Sequence, residues 1–323
     1  MTNGKSAEKI VLVFGVSGFL GSNLANLLRE MDGYQVIGVS RVIKPIWFDS
    51  VYHQETDYSI ESLRRIFNQF MPTVIVNCLA LSDHEKCEAN PQLAEYVNTQ
   101  LAISLAQLAQ EVGSKFVQIS TDSVFSGRNK SALYRECDPP KPFSTYGKTK
   151  LEGETGVLAV ASNSIVSRVN FFGWSPDGKR SILEFFLKEL HAGNQITGYK
   201  DFIVTSEYVN HLCTDLIDLI ELDFSGVIHL SSSDAVSKYD FGVLVADIFQ
   251  LDPSLIKPAT GRTPSSEVIV SRSRDLALDS SLASKILGRQ RPSQKSGIKA
   301  AKLDIQSSMQ KFSNQTDDWR TKI

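Results

Sequence analysis

Apolar positions along this chain follow two alternating rhythms. Ile10-Val-Leu-Val-Phe14 is an unbroken apolar run of strand length, the pattern of a strand buried on both faces. Gly15 to Gly21 follow. Leu20, Leu24, Leu27 and Leu28 then recur at helical spacing within Phe19 to Met31, and Gly33 ends that helix. Tyr34 to Val39 predicts a second strand, Ile60 to Phe70 a helix, and Thr73 to Asn77, behind Pro72, a further buried strand. Ser82 with Glu85 three residues on reads as a capping box. Pro91 breaks that helix, and a longer one runs through Leu93 to Glu111 before Gly113. Lys115 to Ser120 is another buried strand. Strands separated by helices of this length call for parallel β-α-β units with right-handed crossovers. Residues 1–165 therefore predict an α/β fold, a doubly wound parallel (Rossmann) sheet.

After Ser164 to Val169, the sixth strand, the rhythm loosens. Helical patterns occupy Ile182 to Ala192, Glu207 to Glu221 and Ser237 to Gln250, with short strands at Gln195 to Tyr199, Gly226 to Leu230 and Glu267 to Ser271. The stretch from Gln294 is polar and reads as a helix or a frayed tail. Residues 166–323 predict a smaller α/β C-terminal substrate-binding lobe, partly interleaved with the first.

Composition narrows the function classes. The 323 residues are 42% hydrophobic and 22% charged, which excludes a disordered or collagenous chain. With 34 basic and 36 acidic residues there is no excess of positive charge to meet a phosphate backbone, which argues against a nucleic-acid partner. The four cysteines, at 78, 87, 137 and 213, form no C-x-x-C pair, which suggests a reducing compartment. No apolar run reaches membrane-spanning length, so the expectation is a cytoplasmic protein without a membrane partner. His84, Glu85 and Cys87 are the nearest approach to a ligand cluster. Neighbouring helix positions point different ways, so no metal site is expected there.

The candidate chemistry begins at Phe14-Gly-Val-Ser-Gly-Phe-Leu-Gly21, between a buried strand and a helix. Glycines there allow a tight turn and close backbone approach, and a helix N-terminus presents free N–H groups to a pyrophosphate. The spacing is G-x-x-G-x-x-G. An acid after the second strand would bond the ribose hydroxyls of NAD. The chain instead offers Ser40-Arg41, with Lys44 nearby, and a guanidinium matches a 2′-phosphate, so NADPH is favoured over NADH. Ser120-Thr121-Asp122 stands at the C-terminal end of a parallel strand, where ligands bind. Tyr146 and Lys150 are i and i+4 on one helix face, with Ser144 placed to cap that helix. A tyrosine of ordinary pKa, ~10, is a poor acid–base group at neutral pH. A neighbouring ammonium is expected to lower it, letting Thr121 hold a carbonyl that Tyr146 protonates.

Gly15-x-x-Gly18-x-x-Gly21, Ser120-Thr-Asp-x-Val124-Phe-x-Gly127 and Tyr146-Gly-Lys-Thr-Lys-Leu-Glu-Gly-Glu154 together resemble the extended short-chain dehydrogenases/reductases, most closely the dTDP-4-dehydrorhamnose reductase branch. The resemblance runs from residue 9 to about 290. It implies that Thr121, Tyr146 and Lys150 form a catalytic triad and that hydride passes from a nicotinamide to the keto carbon of a nucleotide-linked sugar. It implies further that Gly15, Ser17, Gly18, Phe19 and Leu20 wrap the pyrophosphate, with Ser40 and Arg41 at the 2′-phosphate. Asp57 and Tyr58 would sit by the adenine, and Leu79 and Ala80 along the ribose on the nicotinamide side. Asn98 would support Lys150, itself a cofactor ligand like Tyr146. Ser82, Ser123, Val124, Asn170 and Arg272 are the implied substrate contacts, and dimerisation through Rossmann-domain helices is implied too.

The chain departs from the branch in regions that face the sugar. Ser123 stands where many relatives carry Tyr, Val169-Asn170 follows Arg168 in place of Ser-Trp, and Thr205-Ser206 replaces Pro-Thr. These departures put rhamnose as the product in doubt. Two other readings share the motifs: an epimerase that retains its cofactor, and a non-catalytic NADP-binding regulatory subunit resembling that of methionine adenosyltransferase.

Overall fold

The computed structural model describes residues 8–41, 52–127, 133–260, 274–312 and 320, with side chains of the last helix as far as Ser307. The expected strand at Glu267 to Ser271, together with Lys44 and Arg272, lies outside the described residues. In chain order the first half comprises β1 (Lys9–Phe14), α1 (Phe19–Arg29), β2 (Tyr34–Ser40), β3 (Tyr52–Glu55), α2 (Ile60–Phe70), β4 (Val74–Asn77), α3 (His84–Ala89), α4 (Pro91–Glu95), α5 (Leu101–Glu111), β5 (Lys115–Ile119), α6 (Thr145–Val160) and β6 (Ser164–Val169). The second half comprises β7 (Phe171–Phe172), α7 (Ile182–His191), β8 (Ile196–Tyr199), β9 (Ile203–Val204), β10 (Glu207–Tyr208), α8 (Val209–Glu221), β11 (Gly226–Leu230), β12 (Val236–Ser237), α9 (Lys238–Phe249), β13 (Ile256–Ala259), α10 (Ser281–Leu287) and α11 (Gln294–Phe312).

Seven strands form one parallel sheet in the order β11-β6-β5-β4-β1-β2-β3. Apolar runs without polar alternation produce this because successive side chains point to opposite faces and both faces are covered. Val11 and Val13 enter a core shared with α1 and α8, whereas Leu12 and Phe14 enter a second core with α2, α5 and α6. Gly226 to Leu230, expected in the looser half, pairs with β6 as the seventh strand of this sheet. β3 was not legible, since Tyr-His-Gln-Glu carries no apolar run. The remaining strands pair in twos, β10 with β7, β12 with β9 and β13 with β8, around α7, α9 and α11. Among the described residues no helix is long and apolar enough to cross a membrane.

Two local expectations are corrected. Asp83, not Ser82, caps α3, its carboxylate accepting from Lys86 N at 3.2 Å. Pro91 starts a helix rather than only ending one. As the first residue of α4 it has no N–H to leave unpaired, and Asn90 caps it by accepting from Leu93 N at 3.0 Å. A π-helical turn, Tyr96–Gln100, then joins α4 to α5. The leucines of α5, Leu101, Leu105 and Leu108, are buried against the sheet; Leu93, Tyr96 and Leu158 are exposed.

Candidate functional site

Strand order reverses direction on either side of β1 and β4, and a crevice opens at the carboxyl ends of strands at such a point. A cleft of about 530 Å³ lies there. Its floor is the turn into α1, with Gly18, Phe19 and Leu20; one wall is Cys78, Leu79 and Ala80 after β4, with Ser82 and His84. Across from it stand Thr121, Asp122 and Ser123 after β5, Tyr146 and Lys150 of α6, Asn170 and Phe171 after β6, and Arg180.

The floor is shaped to receive an anion. Gly15 adopts φ +76°, and a Cβ on Gly21 would lie 2.4 Å from Gly15 O, so the turn closes this tightly only around a bare backbone. No side chain caps the N-terminus of α1 and no acid stands in its first turn. Its free N–H groups thus face the cleft, as a pyrophosphate requires. These residues fit a dinucleotide cofactor.

A second cleft of about 510 Å³ lies beyond β2, lined by Arg41, Glu55, Thr56, Asp57 and Ser62. Ser40 is buried at its edge, 2.7 Å from His53 Nε2. Bonds from Ser62 and Ser59 hold the exposed Asp57 carboxyl down at about 2. Tyr58, in the left-handed region at φ 62°, turns into the α2 core instead of lining this cleft.

Helix α6 carries Tyr146 and Lys150 because Ser144 caps it, accepting from Gly147 N at 3.1 Å, and because Glu88 of α3 takes both N–H and O–H of Thr145 at 2.7 Å each. Gly147 lets the helix touch the turn after β5: a Cβ there would stand 2.2 Å from Ser123 O. Gly147→Ala is expected to push α6 off this turn and lower turnover on the order of 10²-fold, since small misplacements of catalytic groups carry large costs. Steady-state rates beside circular dichroism check this, and a folded variant with unchanged turnover would refute it.

Lys150 is 2% exposed and its Nζ donates to Ile119 O at 2.6 Å. Burial pulls its ammonium down to about 8, against the raising influence of Glu154 and Cys78. The partly exposed Tyr146 packs its ring 4.8 Å from that of His84. Burial raises the phenol above its ordinary value, a hydrogen bond with Thr121 opposes, and Asp122 reinforces the rise. In this structure the ammonium bonds a strand carbonyl, and burial holds the Tyr146 phenol above its ordinary value. A protonated phenol is a proton donor, and this arrangement can deliver a proton to a carbonyl held at Thr121.

Behind Lys150, Glu154 and Arg168 form a buried bidentate pair, Nε to both carboxylate oxygens at 3.1 Å and Nη2 to Oε2 at 2.8 Å, and Ser120 donates its hydroxyl to the same carboxylate. Asn98 does not reach the cleft. From the π turn it grips the wall's backbone, Oδ1 accepting from Leu81 N at 2.9 Å and Nδ2 donating to Leu81 O at 3.2 Å and to Thr149 Oγ1 at 3.0 Å. Val124 also leaves the cleft, packing with Phe125, Tyr134, Leu276 and Leu278 in a small core. Its side chain belongs to the fold and not to a substrate surface. Gly15 and Ser17 shape the turn without lining the cleft. His84, Asp122 and Arg180 do line it, and the sequence reading gave them no such role; adjacency to Thr121 was the signal for Asp122, while nothing local marks Arg180. Among the described residues no group of three or more His, Cys, Asp or Glu could hold a metal ion.

Comparison with known proteins agrees with this geometry. The RmlD substrate binding domain family matches residues 9–307. A probable low-salt glycan biosynthesis reductase, Agl14 of Haloferax volcanii, is 30% identical over 249 residues, which cover 76% of this chain and 82% of that protein. Methionine adenosyltransferase 2 subunit beta of Bos taurus is 29% identical over 278 residues, covering 84% of this chain and 80% of that protein. The crystal structure of dTDP-4-dehydrorhamnose reductase from Bacillus anthracis in complex with NADP superposes with a TM-score of 0.78 at 20% identity, covering 93% of this chain and 100% of that one.

Proposed function

Since the chain belongs to the RmlD substrate binding domain family, we propose that it is an oxidoreductase that reduces the keto group of a nucleotide-activated sugar, a 4-keto-6-deoxy sugar above all, with NADPH. The observation that carries this reading is the convergence of Thr121, Tyr146 and Lys150 on one cleft with an uncapped helix N-terminus at its floor. A bound nicotinamide cofactor supplies the hydride. The rest of the chemistry is the chain's own. Thr121 holds the keto oxygen, Tyr146 gives it the phenolic proton, and the Lys150 ammonium stabilises the phenolate left behind. Arg41 in the second cleft supplies the guanidinium for a 2′-phosphate, although Glu55 and Asp57 share that cleft, so both cofactors are to be compared. Residues 166–323 cradle the nucleotide and the sugar, with Arg180 at the cleft as the cation for the substrate diphosphate.

The test is NADPH and NADH oxidation, read at the nicotinamide absorbance, with dTDP-, GDP-, UDP- and CDP-linked 4-keto-6-deoxy sugars. Turnover with one nucleotide series supports the reading. Silence across the panel with NADPH bound would favour a second reading, a non-catalytic NADP-binding regulatory subunit, which rests on the relatedness to methionine adenosyltransferase 2 subunit beta. An epimerase would return product without net NADPH loss. A homodimer and a cytoplasmic location belong to the same proposal.

The rate carries a pH signature. Lys150 titrates at about 8, below its ordinary value, so the charged form exists below that pH and is lost as pH rises through it. Turnover is expected to fall more steeply above pH ~8. A rate flat to pH 10 would sink the role given to this ammonium.

A further inference from the structure

Three side chains beside Thr121 form a hydrogen-bond chain. Ser206, between β9 and β10, donates its hydroxyl to Asn170 Oδ1. With Oδ1 accepting from Ser206, Nδ2 faces Asp122 and donates to its Oδ2 at 2.6 Å. The other Asp122 oxygen, Oδ1, is left for Thr121 Oγ1 at 3.1 Å and Ser123 Oγ at 3.2 Å. Thr121, Asp122 and Ser206 are all buried. Asn170 and Ser206 are also two of the positions at which the chain departs from the branch it resembles.

The direction of the Thr121 hydroxyl follows from Asp122. An ionised carboxylate only accepts, so it takes the Thr121 proton and leaves Thr121 with a lone pair toward the cleft. A neutral Asp122 can carry its proton on Oδ1, the oxygen that faces Thr121 and Ser123. It then donates to Thr121 and frees that O–H for the cleft. We propose that Ser206, Asn170 and Asp122 are a positioning relay that decides whether the Thr121 hydroxyl points at Asp122 or at the substrate's keto oxygen, with Asp122 as the member that turns it. The relay rests on the reductase reading for its substrate end. Burial pushes the Asp122 carboxyl up to about 6, opposed by hydrogen bonds from Asn170, Thr121 and Ser123. Tyr146 of α6 is the ionisable group that feels its charge, and His84 of α3, Lys150 of α6 and Arg180 of the β7–α7 loop share the cleft.

The test follows the Asp122 carboxyl itself, by carbon-detected NMR of the full chain against pH, with Asp122→Asn to assign the signal. Titration near 6 is expected in the wild type, a higher value in Asn170→Ala, which loses the bond that favours the carboxylate, and a smaller rise in Ser206→Ala. Titration in the ordinary range of ~4, or no movement in Asn170→Ala, overturns the relay. In turnover of a dTDP-linked 4-keto-6-deoxy sugar, a limb that falls as pH rises through the carboxyl's own value is expected, shifting upward in Asn170→Ala and absent from Asp122→Asn. A limb that stays put while the carboxyl moves also overturns it. If the carboxyl titrates as expected but no sugar in the panel turns over, the reductase reading fails, and with it the substrate end of the relay.

Discussion

Tyr146→Phe is expected to lower turnover by about 10²–10⁴-fold, the range for removing a general acid, while cofactor affinity stays close to that of the wild type. The substitution deletes one oxygen. The ring that packs 4.8 Å from His84 is retained, the helix cap at Ser144 is untouched, and Lys150 keeps its bond to Ile119 O. What disappears is the only hydroxyl of α6 that lines the cleft beside Thr121. Burial raises the phenol, so in the wild type the proton is present throughout the neutral range and the loss in the variant is expected at every such pH. Single-turnover oxidation of bound NADPH, beside fluorescence titration of the cofactor, separates chemistry from binding. Full activity in the variant would remove Tyr146 from the mechanism and return the cleft to a binding role.

The second large effect is on stability. Arg168→Met is expected to cost about 3–5 kcal/mol, because it strips the buried Glu154 carboxylate of its bidentate ion pair and leaves the Ser120 hydroxyl as its hydrogen-bond partner. Arg168 also lies 5.1 Å over the Phe125 ring, a contact that methionine replaces only in part. Arg64→Met is the control. Arg64 makes an equally well-formed bidentate pair with Glu111, at 2.6 and 3.0 Å, but both side chains are about half exposed, and such pairs contribute ~0–1 kcal/mol. Urea unfolding of the three proteins measures the contrast, and equal losses for the two variants would refute the account.

Burial, rather than bond count, separates those two arginines, and burial is also what divides the legible from the illegible in this chain. β1 and β4 were readable from their apolar runs, and β5 and β6 from buried apolar residues on both faces, though Gln118, Ser167 and Arg168 are buried among them. β3 was not: its Tyr-His-Gln-Glu sequence borrows its strand geometry from β2, through register pairs such as Val39 with Gln54. The π turn at Tyr96–Gln100 leaves no mark in the apolar rhythm, which runs on into α5. It is nevertheless what turns Asn98 toward the Leu81 peptide. Val124 and Tyr58 sit inside motif stretches, yet their side chains turn into cores.

By itself the sequence determined the parallel sheet, the glycine turn at its first strand, and the sharing of one helix face by Tyr146 and Lys150. Each of these is a local matter, set by periodicity, by the absence of a Cβ, or by the pitch of a helix. Only the tertiary structure decided which way the charges are tuned. Desolvation lowers Lys150 and raises Tyr146 and Asp122, and the side chains that oppose it include Glu154 one turn from Lys150, Thr121 across from Tyr146, and Asn170 beyond the next strand from Asp122. Burial and the aim of a hydrogen bond are properties of the surroundings, and those surroundings exist only once distant segments have met.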